Sequence, residues 1–147
     1  MTKILITGKD SYIGSSFESQ AEDWTDYSVD TVDLIDGSWR DRSFSGYDAV
    51  FHVAGIAHIR ETAKNAALYY SVNCDLAAET AEKAKADGVR QFVFLSSMSV
   101  YGKETGRITT DTVPCPKSHY GKSKLLAEEK LAALADDDFT ITVLRPP

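Results

Sequence analysis

The feature that most restricts the fold is a regular alternation of short β-branched or aromatic runs with helix-forming stretches. Lys3 to Thr7, Tyr27 to Asp33, Ala49 to Val53, Gln91 to Ser97 and Phe139 to Leu144 read as buried parallel strands. Between them, Tyr12 to Glu22, an Ala-rich stretch from Ala63 to Asp87 ended by Gly88, and Tyr120 to Ala135 have helical composition. Parallel neighbours cannot be joined by hairpins, so each pair requires a right-handed crossover. The expected fold is therefore α/β, a doubly wound parallel sheet of Rossmann type, with its ligand crevice beyond the carboxyl ends of the strands. Only a short stretch joins Asp33 to Asp48, which leaves room for no more than an abbreviated third strand. Residues 1–147 read as one domain, and Gly102 to Lys117 is the single long irregular segment.

Charge and composition remove several function classes. A net charge of -6 argues against a phosphate-backbone partner, since nucleic-acid affinity comes mostly from Lys and Arg. Ile4-Leu5-Ile6 is too brief for a signal segment or a spanning helix, so no membrane association is expected. Cys74 and Cys115 form no Cys-x-x-Cys motif, which fits a reducing cytoplasm. His52 and His58 lack a third ligand at metal spacing, so no metal site is expected. Gly121-Lys122-Ser123 has the end of a nucleotide-hydrolase loop, but Pro116 stands where its first glycine belongs.

The first strand runs into Thr7-Gly8-Lys9-Asp10-Ser11-Tyr12-Ile13-Gly14 and then a helix. Amides at such a helix start can hold a pyrophosphate, with Gly8 making the tight turn and Gly14 allowing helix–strand packing. Ser11 occupies the middle position that usually has no side chain, and a plain strand-to-helix turn would want small residues too. Asp33, at the end of the second strand, can accept hydrogen bonds from both adenosine ribose hydroxyls and would repel a 2′-phosphate, favouring NAD over NADP; it can equally cap a turn before Gly37. Trp39 can pack at the sheet edge as a loop residue.

Tyr120 and Lys124 are four apart on a predicted helix, hence on one face. A free phenol titrates near pH ~10, too high for a base at neutrality. An ammonium roughly 4 Å away, at an effective dielectric near 20, is worth about 4 kcal/mol, enough to lower that value by about three. Ser97 ends a strand on the crevice side, where its hydroxyl can polarise a substrate oxygen. Ser96 and Ser99 lie close by.

Phe94-Leu95-Ser96-Ser97-Met98-Ser99-Val100-Tyr101-Gly102, followed by Tyr120-Gly121-Lys122-Ser123-Lys124, resembles the extended short-chain dehydrogenase/reductases, especially the NAD-dependent sugar-nucleotide 4-epimerases. Asp48-Ala49-Val50-Phe51-His52-Val53-Ala54-Gly55 resembles the family's fourth strand with its cofactor-contacting end, and Val72-Asn73 its helix motif. The resemblance implies NAD held by Gly8, Ser11, Tyr12, Ile13, Gly14, Asp33, Val53, Ala54, Gly55, Asn73, Tyr120 and Lys124. For Trp39 it implies a second reading, beside the adenine ring. It also implies Tyr120 as general base, Lys124 as the residue that lowers its pKa and bonds the nicotinamide ribose, and Ser97 as the group steadying the reacting hydroxyl. A nucleotide sugar would be the substrate, oxidised at C4 to a 4-keto intermediate, and helices would pair two copies into a homodimer. Met98 and Ser99 stand where family dehydratases carry an acid/base pair after the Ser or Thr, which tilts the expectation to an epimerase or reductase. Family members continue past the point of Leu144-Arg145-Pro146-Pro147 into a sugar-binding domain, so the chain is expected to be the cofactor half of a longer protein, with activity of the fragment alone doubtful. Two other readings stay open: a non-catalytic dinucleotide sensor, which would need no working Tyr–Lys pair, and an interaction domain packed through the Ala63 to Asp87 helix.

Overall fold

The computed structural model describes residues 1–147. Its five strands are β1 (Thr2–Thr7), β2 (Tyr27–Val32), β3 (Ala49–His52), β4 (Gln91–Leu95) and β5 (Thr140–Leu144). They lie in the order β2-β1-β3-β4-β5, and every pair is parallel. The helices are α1 (Tyr12–Ala21), α2 (Ala66–Tyr70), α3 (Leu76–Ala86) and α4 (His119–Ala132). None is long and apolar enough to cross a membrane.

Side chains alternate across the sheet, as strand geometry requires. Leu5, Val50, Phe92 and Phe94 point to the larger core, where Ala77, Ala81 and Ala84 of α3 and Ala127 and Leu131 of α4 meet them. The run of alanines lets these helices approach the sheet closely. Ile4, Ile6, Phe51 and Val53 form a smaller core on the opposite face, against Phe17 of α1. Helices thus cover both faces, which is the expected doubly wound arrangement.

Two expectations need correction. The connection from Asp33 to Asp48 contains no third strand, abbreviated or otherwise, but a single 3₁₀ turn at Ser38–Arg40. It drives Trp39 into the larger core, 1% exposed and stacked on Phe44 at 6.3 Å, so β2 remains an edge strand. Arg42 shields that edge by donating to the Thr31 carbonyl (3.2 Å) and to the Tyr47 hydroxyl (2.9 Å), which itself donates to Asp30. The Ala63 to Asp87 stretch is also not one regular helix: α2 and α3 are joined by a π-helical turn at Ser71–Asp75.

The chain passes from β1 outward to β2 and then back to β3 on the other side of β1. The carboxyl ends of β1 and β3 therefore diverge into a crevice at the point where the winding direction switches.

Candidate active site

The crevice has a volume of about 540 Å³ and is lined at its base by Gly8, Lys9, Asp10 and Ser11. Asp33, Leu34 and Ile35 form one wall, and Val53, Ala54, Gly55 and Ile56 the other. Gly8 has φ +120°, and a Cβ there would come within 2.7 Å of the Ala54 amide nitrogen. Only glycine lets β1 turn this sharply beside the end of β3. Gly14 is buried, and a Cβ on it would meet Ser11, Val53 and Ile6, so its absence lets α1 pack on the sheet.

Ser11 fills the middle position of the loop for a local reason. Its hydroxyl accepts from the Gly14 amide at 3.0 Å, making Ser11 the N-cap of α1. Tyr12 and Ile13 side chains point elsewhere: both are exposed and line a separate groove with Phe17 and Trp24, leaving only their amides at the helix start for an anion. Asp33 lies just past β2, exposed, with Oδ1 accepting from the Ile35 amide at 2.9 Å. It therefore makes the local turn while still facing the crevice. Trp39, buried in the core, is not among the residues lining the crevice.

Ser97, Asn73, Tyr120 and Lys124 lie outside that lining, and Gly55 is what connects them to it. A Cβ on Gly55 would stand 2.9 Å from Asn73 Oδ1 and 3.2 Å from Lys124 Nζ, so this glycine of the crevice wall packs directly against both buried groups. Asn73 is fully buried in the π-helical turn. Its Oδ1 accepts from the Ile56 amide (2.8 Å), while Nδ2 donates to the Ile56 carbonyl (3.0 Å) and to Ser123 Oγ (3.2 Å). With its side chain so engaged, Asn73 pins the loop after β3 to α4.

Lys124 is 4% exposed; its Nζ donates to the Leu95 carbonyl at 2.8 Å, and it sits 4.9 Å from the Phe94 ring centre and 6.0 Å from that of Tyr120. Burial pushes its ammonium down to about 8, against the opposing pull of Glu128. Ser97 is nearly buried and extended (φ -160°, ψ 151°), and its Oγ accepts from the Ser99 amide at 3.0 Å. The turn after Ser97 touches α4 directly, because Gly121, next to Tyr120, packs on the Ser99 carbonyl, where a Cβ would intrude to 2.5 Å. The strand expected to end at Ser97 stops at Leu95, so Ser97 caps the turn after β4, and that turn meets the helix carrying Tyr120 and Lys124 at the carboxyl edge of the sheet.

Several residues that shape this site went unread in the sequence. The Glu61 carboxylate accepts from the amides of His119 (3.0 Å) and Tyr120 (2.8 Å), capping α4 from the loop after β3. His52 is fully buried beneath Lys124 and stacks on Phe92 and Phe94; burial first, then the Lys124 charge, lowers its imidazole to about 3. Glu128 and Arg145 pair between α4 and the end of β5. No short motif links these residues, although the Lys124 to Glu128 spacing of one helical turn was a usable signal.

A parallel sheet wound on both faces, with a glycine-rich turn and an acidic residue bordering a crevice at the switch point, defines a dinucleotide-binding class of protein. Residues 4–147 match the NAD dependent epimerase/dehydratase family, and the chain belongs to that family. UDP-glucose 4-epimerase 4 of Oryza sativa subsp. japonica is 33% identical over 123 residues, covering 80% of this chain and 33% of that enzyme. A short-chain dehydrogenase/reductase superfamily protein from Agrobacterium tumefaciens, crystallised with bound NAD, is 27% identical with a TM-score of 0.83, covering 97% of this chain and 48% of that one. MoeE5, in complex with UDP-glucose and NAD, is 27% identical with a TM-score of 0.82, covering 96% of this chain and 52% of that one. The chain therefore spans about a third of the rice enzyme and about half of each solved chain.

Proposed function

We propose that the chain is the cofactor-binding and catalytic half of an NAD-dependent sugar-nucleotide 4-epimerase. The observation that carries this reading is Gly55: it lines the crevice and, having no side chain, packs directly against Lys124 Nζ and Asn73, so the buried lysine stands just behind the crevice wall. The residues fit NAD. Gly8 and the amides of Ser11, Tyr12, Ile13 and Gly14 would hold the pyrophosphate, Asp33 the adenosine ribose, and Val53, Ala54 and Gly55 the passage to the nicotinamide end. When bound, NAD supplies a hydride acceptor.

The chain's own residues supply the proton chemistry. Tyr120 takes the proton from the C4 hydroxyl of the sugar, Lys124 stabilises the phenolate and bonds the nicotinamide ribose, and Ser97 holds the reacting oxygen. Oxidation at C4 would give a 4-keto sugar, and restoring to the opposite face of C4 the hydride that the bound cofactor would have accepted, with the proton returned by Tyr120, would invert that centre. Met98 and Ser99 after Ser97 bring no acid/base pair for dehydration, which favours epimerase over dehydratase. UDP-glucose is the first substrate to try, since the rice relative and MoeE5 are described with it. The net charge of -6 supports a small-molecule partner over a nucleic acid or an anionic membrane, and the free Cys74 and Cys115 suit the cytoplasm. Exposed Leu68 on α2 and Leu126 on α4 support homodimer pairing through the helices, which sedimentation of the L68E/L126E variant tests by loss of the dimer.

Calorimetric titration of the chain tests the cofactor half. NAD should bind more tightly than NADP, and Asp33→Ala should weaken NAD by about tenfold or more, as expected for hydrogen bonds to a charged acceptor. Equal affinity for NADP would remove the ribose assignment. In the full-length parent, Tyr120→Phe should keep NAD and lose C4 epimerisation, and undiminished turnover would refute the base assignment.

A further inference from the structure

We propose that Glu128 and Arg145 form a brace that sets the gap between the Ser97 turn and the Tyr120–Lys124 face of α4, making both of them positioning residues. The catalytic part of this inference rests on the function proposed above.

Tyr120, Lys124 and Glu128 follow one another at intervals of four, so they form a single stripe along α4. Glu128 is buried at 7% exposure, and both of its oxygens are engaged. Oε1 accepts from the Ser96 hydroxyl and from Arg145 Nε (3.0 Å), and Oε2 accepts from Arg145 Nη2. The third arm of the guanidinium, Nη1, donates to the Tyr101 hydroxyl at 2.7 Å, and the group lies 5.0 Å over the Tyr101 ring. Ser96 and Tyr101 bracket the segment that presents Ser97. One carboxylate and one guanidinium thus hold both ends of that segment against the helix that bears the tyrosine and lysine.

This segment needs such a tie because β4 ends at Leu95, before Ser97. Beyond that point the Ser96 amide bonds the Leu144 carbonyl (2.7 Å) and the Met98 amide bonds the Pro146 carbonyl (2.9 Å), so the turn follows the end of β5. Arg145 lies between those two acceptors and anchors that end to α4. The second tie, Gly121 against Ser99, lies near Tyr120, so the two contacts straddle Lys124. A buried ion pair is a poor source of net stability compared with well-packed apolar groups, but its fork geometry fixes orientation in two directions. Catalytic groups misplaced by about 1 Å can lose roughly a hundredfold in rate, which is the scale a slack brace would reach.

The test uses the full-length parent with Ser96→Ala, which removes one hydroxyl, and Arg145→Met, which removes the fork. Amide hydrogen exchange should show lost protection confined to residues 96–101 and the facing turns of α4, with β1 unaffected. With UDP-glucose as probe, kcat should fall by about tenfold to a hundredfold while KM and NAD affinity stay within about twofold. Unchanged exchange in both variants would overturn the brace, as would a kcat that falls only in proportion to the folded fraction. Tyr120→Phe run in parallel separates the two claims: if it turns over like the wild type, the proposed chemistry fails, while the exchange result still decides the brace.

Discussion

Lys124 shows how a single residue can be readable in type and unreadable in state. Its spacing from Tyr120 was evident, but its burial at 4% exposure and its bond to the Leu95 carbonyl come from the sheet beneath it. With its ammonium lowered to about 8 from the ordinary 10.5, the unfolded chain holds this proton where the folded one has released it. Stability should therefore rise with pH between those values, by about 3 kcal/mol, relieving a penalty that is fully present below pH 8. Urea midpoints at stepped pH check this, with Lys124→Met lacking the rise. If Lys124 has the role proposed above, turnover should fall above about pH 8 as the ammonium is lost. His52 has the same sign in a lower pH window. Its neutral ring, held near 3 by burial and by Lys124, is one group that must charge on acid unfolding, so His52→Gln should flatten the loss of stability between pH 6.5 and 3.

Among the elements, the turn from β1 into α1 was legible because its constraint is local: a chain that reverses this tightly needs a glycine at positive φ. Gly8→Ala adds both that backbone strain and a clash with the Ala54 amide, so it should cost about 2–4 kcal/mol in a denaturant titration. Ser11→Ala should lose about 1 kcal/mol with the cap, and Ser11→Gly only a few tenths. The π-helical turn at Ser71–Asp75 was not legible, since its sequence has ordinary helical composition. What sets it is the fit of Asn73 between the Ile56 backbone and Ser123, a contact across 50 residues of chain. Glu61 escaped notice for a similar reason: its role as a cap on α4 exists only after the loop from β3 has crossed to that helix.

At the level of the whole molecule, the order β2-β1-β3-β4-β5 puts the switch point between β1 and β3, and the crevice follows from that order alone. The connection to Asp48 is too short for another strand, so Trp39 and Phe44 fill the larger core in its place. Trp39→Phe should therefore lower stability by about 1–2 kcal/mol while leaving NAD affinity unchanged, and a large loss of affinity would return Trp39 to the adenine site. Its removal should also eliminate the quencher-protected part of the tryptophan emission, leaving the half-exposed Trp24. By itself the sequence determined the alternation of strand and helix and the glycine turn, and it marked Asp33 and the Tyr120–Lys124 pair as candidates, because each of these depends on spacing along one element or on the residue that ends it. Tertiary structure alone decided that Trp39 is buried, that Gly55 packs against Lys124 and Asn73, and that Glu128 meets Arg145. Those contacts join residues from different strands and helices, and their geometry comes into being only when the sheet order brings those elements together.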